Sequence, residues 1–205
     1  TSTYTASLGF KGGQSELSIQ SQLQGMALNL PAPLNKRSDE MVAFKYDNTI
    51  VNTVNNKAQR DQIQLNWGRA LSAAYLRDVS QAEPRILNGR WAVGDAPPST
   101  NTSLAESGVL AVFNLPAFSV DDWLQVFSPA KSSPNYNATQ NMGMGQSAQN
   151  YLPTRMTLKA GELAIQGRAL HNVTVSGSRN GLLWRSNLDA KEFSGYLEYR
   201  QSTPQ

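Results

Sequence analysis

Apolar and polar residues alternate with period two through most of the chain. Leu17 and Ile19 alternate with polar neighbours, then Met26, Leu28 and Leu30, then Val42, Phe44 and Tyr46, then Ile63, Leu65 and Trp67. Because successive side chains on a strand point to opposite faces, each run predicts a strand with one apolar face. Leu71 to Leu76, the residues around Ile86, and Trp91 to Val93 predict further short strands, with Gly89 as a bulge or bend. Val109 to Leu115 is apolar on both faces, which predicts a strand covered from both sides.

One segment breaks the period. Around Val120 to Phe127 a helix is expected, with Ser119 as N-cap, Asp122 at the capping-box position and Phe118 placed to staple onto Trp123. Asp121 and Asp122 suit the positive end of the helix dipole. Trp123, Val126 and Phe127 share a face that should dock on apolar surface, capping or plugging an end of a sheet. Residues 128–150 are rich in Ser, Asn, Gln, Gly and Pro and have no period, so they read as a polar mobile loop. That loop divides an N-terminal β body, residues 1–127, from a C-terminal β meander, residues 151–205, expected to continue the same sheet. In the meander Asn180-Gly181 is the strongest hairpin signal, since both residues tolerate positive φ.

An internal echo links the two parts. Ser15 to Ser21 resembles Gly161 to Gly167, and beyond it Leu23, Met26 and Leu28 align with Leu170, Val173 and Val175. Each copy reads as strand, short turn and second strand, as a stacked elongated sheet requires. Chance likeness between two amphipathic hairpins is the competing reading.

Composition narrows the function. Charged residues are only 16% of the 205, so the polarity comes mostly from uncharged side chains, as on the wet face of an antiparallel sheet. The net charge of +3 is scattered instead of forming the basic patch that nucleic acid needs. Without Cys there is no disulfide framework, thiolate metal site or Cys nucleophile. The single histidine, His171, lies within an ordinary strand and reads as a solvent-facing or capped residue, not as a ligand or general base. Gly12-Gly13 and Met142 to Gly145 lack phosphate-cradling spacing, and no Gly-x-Ser-x-Gly elbow exists. No catalytic residue, metal site or cofactor is therefore expected. No apolar run is long enough to span a bilayer, and the first residues have no signal-peptide pattern. The abrupt ends suggest a piece of a larger protein.

Two stretches resemble a known family. Leu23 to Lys36 is similar to a Leu-x-Gly strand leading into a Leu-Pro-x-Pro-Leu-x-Lys corner, and Leu158 to Leu197 resembles the repeated closing unit of YhdP-type proteins of the AsmA-like family. Leu115-Pro116 followed by Asp121, Trp123 and Leu124 is similar to their short helix. The resemblance implies a curved, groove-like or taco-like β sheet in a periplasmic protein anchored in the inner membrane. Along its groove phospholipid acyl chains would pass between inner and outer membranes, with neighbouring segments of the same long chain, and other envelope proteins, as further partners.

The combined expectation is a mainly β fold, a curved antiparallel sheet with one short helix, acting without catalysis. Met26, Leu28, Ile63, Leu65, Trp67, Leu163, Ile165, Val173, Val175, Trp184 and Leu188 are the candidates for the lipid groove, with ordinary dry core as the plainer alternative for each. Two other functions stay open: a structural or protein-interaction module using exposed strand edges, and a glycan-binding β sandwich using the tryptophans.

Overall fold

The computed structural model describes residues 2–11, 13–51, 59–95, 107–127 and 150–200. In chain order these form β1 (Tyr4–Lys11), β2 (Gln14–Ser21), β3 (Phe44–Val51), β4 (Arg60–Trp67), β5 (Leu71–Asp78), β6 (Arg85–Gly94), β7 (Gly108–Ser119), α1 (Val120–Phe127), β8 (Arg155–Ile165), β9 (Arg168–Asn180), β10 (Leu183–Asp189) and β11 (Ser194–Arg200). All eleven strands lie side by side in sequence order in one open, curved sheet. The loop expected over 128–150 falls, except for Asn150, outside the described residues.

The sheet is antiparallel from β1 to β6 and again from β8 to β11, but β7 runs parallel to both its neighbours. The sheet is thus mainly antiparallel, as expected, with these two parallel pairings as the exception. The physical reason is connection length: residues 95–107 and the stretch from α1 to β8 are long enough to return the chain to the same end before the next strand, which a tight hairpin cannot do. It also accounts for the apolar character of β7 on both faces. Val109, Ala111 and Leu115 are buried on one side, and Leu110 and Val112 are half-buried on the other.

Two other expectations are corrected. Met26 and Leu28 do not lie on a strand. Leu23 and Gly25 have φ of 50° and 84°, which turns the chain out of extended conformation, and Leu28 makes only an isolated bridge to Lys36. The first copy of the internal echo therefore stops after β2, whereas the second is a true hairpin, β8 and β9, closed by Gln166-Gly167. Gly89 is not a bulge; a Cβ there would stand 2.5 Å from the Tyr75 ring, so glycine makes room for that ring, and the register shift falls across Leu76 and Arg77. In the β9–β10 hairpin the two turn residues are Gly181 and Leu182, one position beyond the expected pair, with Gly181 at φ 59° as a II′ turn requires.

Three adjacent strands share a bend. Buried positions step by two along β7, β8 and β9 and then by three at one level: Leu115 to Phe118, Ala160 to Leu163, and Leu170 to Val173. Between them Ala117 pairs with Glu162, and Glu162 with His171. Pro116 supplies no N–H at this level, a Cβ on Gly161 would stand 2.7 Å from the Pro116 carbonyl oxygen, and Asn172 has φ 52°. An extra residue bends a strand, and here it keeps the apolar residues above and below the bend on one side.

Candidate functional site

Residues directly paired across a ladder share a face, so the register sorts every strand into two surfaces. One cross-strand row reads Ser7, Ser18, Asp47, Gln64, Ala74, Arg90, Leu110, Arg155, Ser178, Arg185 and Glu198. The neighbouring row on the opposite face reads Ala6, Ile19, Tyr46, Leu65, Ala73, Trp91, Ala111, Met156, Gly177, Ser186 and Leu197. The first is largely polar and the second largely apolar. A second apolar row, Phe44, Trp67, Leu71, Val93, Phe113, Leu158, Val175 and Leu188, lies beside it. Together they form an apolar stripe across all eleven strands, roughly 48 Å long at ~4.8 Å per strand spacing.

The stripe is not uniform. At its centre Val93, Leu115, Leu158, Ala160, Leu163, Leu170 and Val173 pack into one buried cluster, joined by Leu71, Phe113, Phe118, Val120, Ile165, Val175 and Leu188. Val173 and Ala111 are wholly buried. At the flanks the same face is bare. Tyr4, Leu8 and Phe10 on β1 and Leu197 and Tyr199 on β11 are each more than half exposed. At the lower end of β1, β2 and β3 a depression of about 380 Å³ wraps the sheet, lined by Tyr4, Ser21 and Phe44 from the apolar side and Thr5, Gln20 and Lys45 from the other.

Nine sequence candidates fall on this stripe: Ile63, Leu65, Trp67, Leu163, Ile165, Val173, Val175, Trp184 and Leu188. Trp67 meets Phe44 edge-on at 6.2 Å, and Trp184 lies beneath the Arg179 guanidinium, 5.9 Å from its ring centre. Met26 and Leu28 do not join them. Met26 is exposed in the β2–β3 connection, where its carbonyl accepts a 2.7 Å hydrogen bond from the buried Lys36 ammonium.

A polar network interrupts the stripe near one rim. Arg77 donates through Nε and its second amino group to the two Asp61 oxygens at 2.9 and 2.5 Å, and through the other amino group to the Tyr151 hydroxyl at 3.0 Å. The Tyr75 hydroxyl accepts from Trp91 Nε1 and donates to the Tyr151 carbonyl at 2.8 Å. Burial pushes the Tyr75 hydroxyl pKa up to about 12, so it keeps its proton at neutral pH, and the Asp61 carboxylate holds Arg77 further above its ordinary value. Both charges are largely buried but mutually compensated. The sequence carried one signal for this, since Asp61 stands in step with Ile63 and Leu65. Tyr151, arriving from outside the strands, left none.

At the other rim the contacts that fasten α1 include the following. Ser119 Oγ accepts from the Asp122 N–H at 3.1 Å, as an N-cap should. The Asp121 carboxylate accepts from the N–H groups of Gln166 and Gly167 at 2.8 and 3.0 Å, which holds its pKa below the usual carboxylate range. Those two residues, at φ 51° and 70°, form the I′ turn between β8 and β9. Trp123 Nε1 donates to the Ala32 carbonyl at 3.2 Å, linking the helix to the β2–β3 connection. The helix docks through Val120 and Trp123, while Val126, expected to dock beside Trp123, is exposed.

His171 is exposed and held by Glu192, whose carboxylate accepts from its backbone N–H at 2.9 Å and contacts its Nδ1 at 2.7 Å; these bonds draw the Glu192 pKa down. Among the described residues no cluster of metal-ligating side chains occurs, and no helix is long and apolar enough to cross a membrane. A glycan-binding sandwich is ruled out as an architecture, because the described strands make one sheet and not two. Trp67, Trp91 and Trp184 are half-buried on its apolar side.

No curated protein and no solved structure matches the chain. A family model does: the one described as YhdP protein matches residues 1–205, the whole chain, which therefore belongs to the YhdP family.

Proposed function

We propose that this chain is a non-catalytic segment of a lipid conduit in the Gram-negative periplasm, part of an inner-membrane-anchored protein, and that its apolar stripe takes up phospholipid acyl chains passing between the two membranes. The observation that carries this reading is one-sidedness. A single sheet presents an apolar face across all eleven strands, polar on its back, and leaves the flanks of that face exposed. Soluble proteins rarely leave so long an apolar surface open, and covering it with acyl chain gains about 25 cal/mol per Å². The stripe, at roughly 48 Å, is long against the ~15 Å of a bilayer leaflet's hydrocarbon, so a guest fits with length to spare.

The outer edges of β1 and β11 bear no partner strand among the described residues, and both carry the apolar face to the last strand. Neighbouring segments of the same long chain are the partners that would pair there and continue the trough, because extended edges recruit strands and the face would stay in register. The same edges suit other envelope proteins, which is what favours a structural role as the second reading.

Native mass spectrometry and lipid extraction of the purified chain test the proposal. Bound phospholipid is expected, and its loss in a folded Ile165→Asp or Val175→Asp variant, both sites being half-buried, would place the guest on the stripe. A lipid-free chain offered vesicles of mixed phospholipid and recovered empty would refute it.

A further inference from the structure

We propose that the β9–β11 flank of the stripe is a headgroup subsite, in which Arg179, Trp184 and Tyr199 receive the phosphate of a phospholipid whose tails lie further along the same face. This deepens the acyl-binding reading above and rests on it. The row of paired residues next to the one running from Ala6 to Leu197, on the same face, changes character along its length. On β1 to β4 it holds Leu8, Leu17, Asn48 and Ile63, whereas on β9, β10 and β11 it holds Arg179, Trp184 and Tyr199. A cation and two amphipathic rings therefore meet at one end of the stripe.

The Arg179 guanidinium lies over the Trp184 ring, and Tyr199, paired with Trp184 on the next strand, is more than half exposed. Such a group suits the boundary between hydrocarbon and water: the rings offer apolar surface to a tail, while the guanidinium and the phenol donate to oxygen. A guanidinium has N–H donors enough to keep its contacts within the fold and still take two oxygens of a phosphate side by side. The local charge favours an anion. Arg155 begins β8 and Arg200 ends β11 at this same end of the sheet. In the adjoining halves of β9, β10 and β11 the only carboxylate among the described residues is Glu198. It stands on the opposite face, accepting from Arg185 at 2.9 Å and from Tyr196 at 2.6 Å. Tail length fits as well. Leu197 is more than half exposed and Leu188 half-buried on the apolar side. Trp184 and Leu188 are about 13 Å apart at ~3.3 Å per residue, close to the ~15 Å of a leaflet's hydrocarbon, so a tail that starts at the stack runs the length of β10 on this face.

Two lipids with the same pyrene-labelled tails separate headgroup from tail: a phosphatidylglycerol, and a diacylglycerol, which has no phosphate. Each is offered from phosphatidylcholine vesicles to the wild type and to variants whose folding is checked by circular dichroism. Arg179→Gln is expected to lower phosphatidylglycerol uptake at least several-fold and to leave diacylglycerol uptake unchanged. Arg168→Gln, which removes a charge at the opposite end of β9, should change neither. Equal loss of both lipids by Arg179→Gln, loss of neither, or the same selective loss from Arg168→Gln overturns the subsite and leaves acyl binding standing. Uptake of neither lipid by the wild type removes the acyl-binding reading and the subsite with it. Glycerophosphoglycerol and inorganic phosphate, which carry the anion without tails, should not compete at the lipid's own concentration; competition by either would mark a site for free phosphate and overturn the assignment. Should Arg179→Gln not fold, Tyr199→Glu, at an exposed position, decides in the same way: selective loss of phosphatidylglycerol supports the subsite, and unchanged selectivity refutes it.

Discussion

The centre and the flanks of the sheet carry the same apolar face but differ in what covers it. From β5 to β9 the face is packed, with Val173 wholly buried and Leu158, Leu163 and Leu170 nearly so, under the first turn of α1 and beside the Tyr151 network. On β1 and β11 equally apolar side chains, Leu8 and Leu197 among them, stand more than half exposed. The difference shows that burial in this fold is produced by bending and capping, not by a second sheet. The aligned steps at Pro116, Gly161 and Asn172 bend β7 to β9 around their own side chains, and the flanking strands lack that device.

The sharpest way to break the comparison is a charge at the centre. Val173→Asp should cost about 4 kcal/mol or more, because the carboxylate would have neither water nor partner, and urea denaturation should show the chain largely unfolded. Next comes Asp61→Ala, which leaves the Arg77 guanidinium buried without its bidentate partner; a loss of roughly 3 kcal/mol is expected. Adding Arg77→Leu should recover much of that loss, and failure to recover it would show that the pair itself stabilises the rim.

Acid should act locally and less strongly. The Asp121 pKa is lowered by its bonds to Gly167 and Gln166, so the fastening of α1 is complete at neutral pH and is lost as pH falls through and below the ordinary carboxylate range. Hydrogen exchange at the two turn amides, corrected for intrinsic rates, should lose protection over that interval while the β8–β9 ladder stays protected. The smallest effect on stability belongs to the flanks. Leu8→Ser or Leu197→Ser should change folding free energy by less than about 0.5 kcal/mol, yet lower lipid uptake. A large destabilisation at either site would mean that the flanks are covered as the centre is.

Much of this was legible in the sequence, for physical reasons that also mark where it stopped being so. Period-two alternation located β2, β3 and β4 and put Ile63, Leu65 and Trp67 on one face, because in a sheet with one wet side each position has one allowed polarity. The helix was legible from Ser119, whose capping bond forms as expected, but its docking was not: amphipathic spacing shows which residues share a face, not whether that face meets the sheet. Met26 and Leu28 misled because a proline-rich connection can alternate by chance, and only the left-handed Leu23 and Gly25 reveal the turn. The parallel setting of β7 was hidden because an apolar strand reads the same in either direction. The Tyr151 network was hidden because it joins residues distant in sequence, and no local pattern records such a contact.

The central claim is that the apolar face, and not the polar one, receives acyl chains. Photo-crosslinking amino acids placed singly at Ile19 and Leu65 on one face, and at their sequence neighbours Gln20 and Gln64 on the other, test it directly with radiolabelled phospholipid. Labelling at Ile19 and Leu65 with little at Gln20 and Gln64 is the predicted result. Equal labelling on both faces, or labelling of neither by a chain that folds normally, would contradict the account.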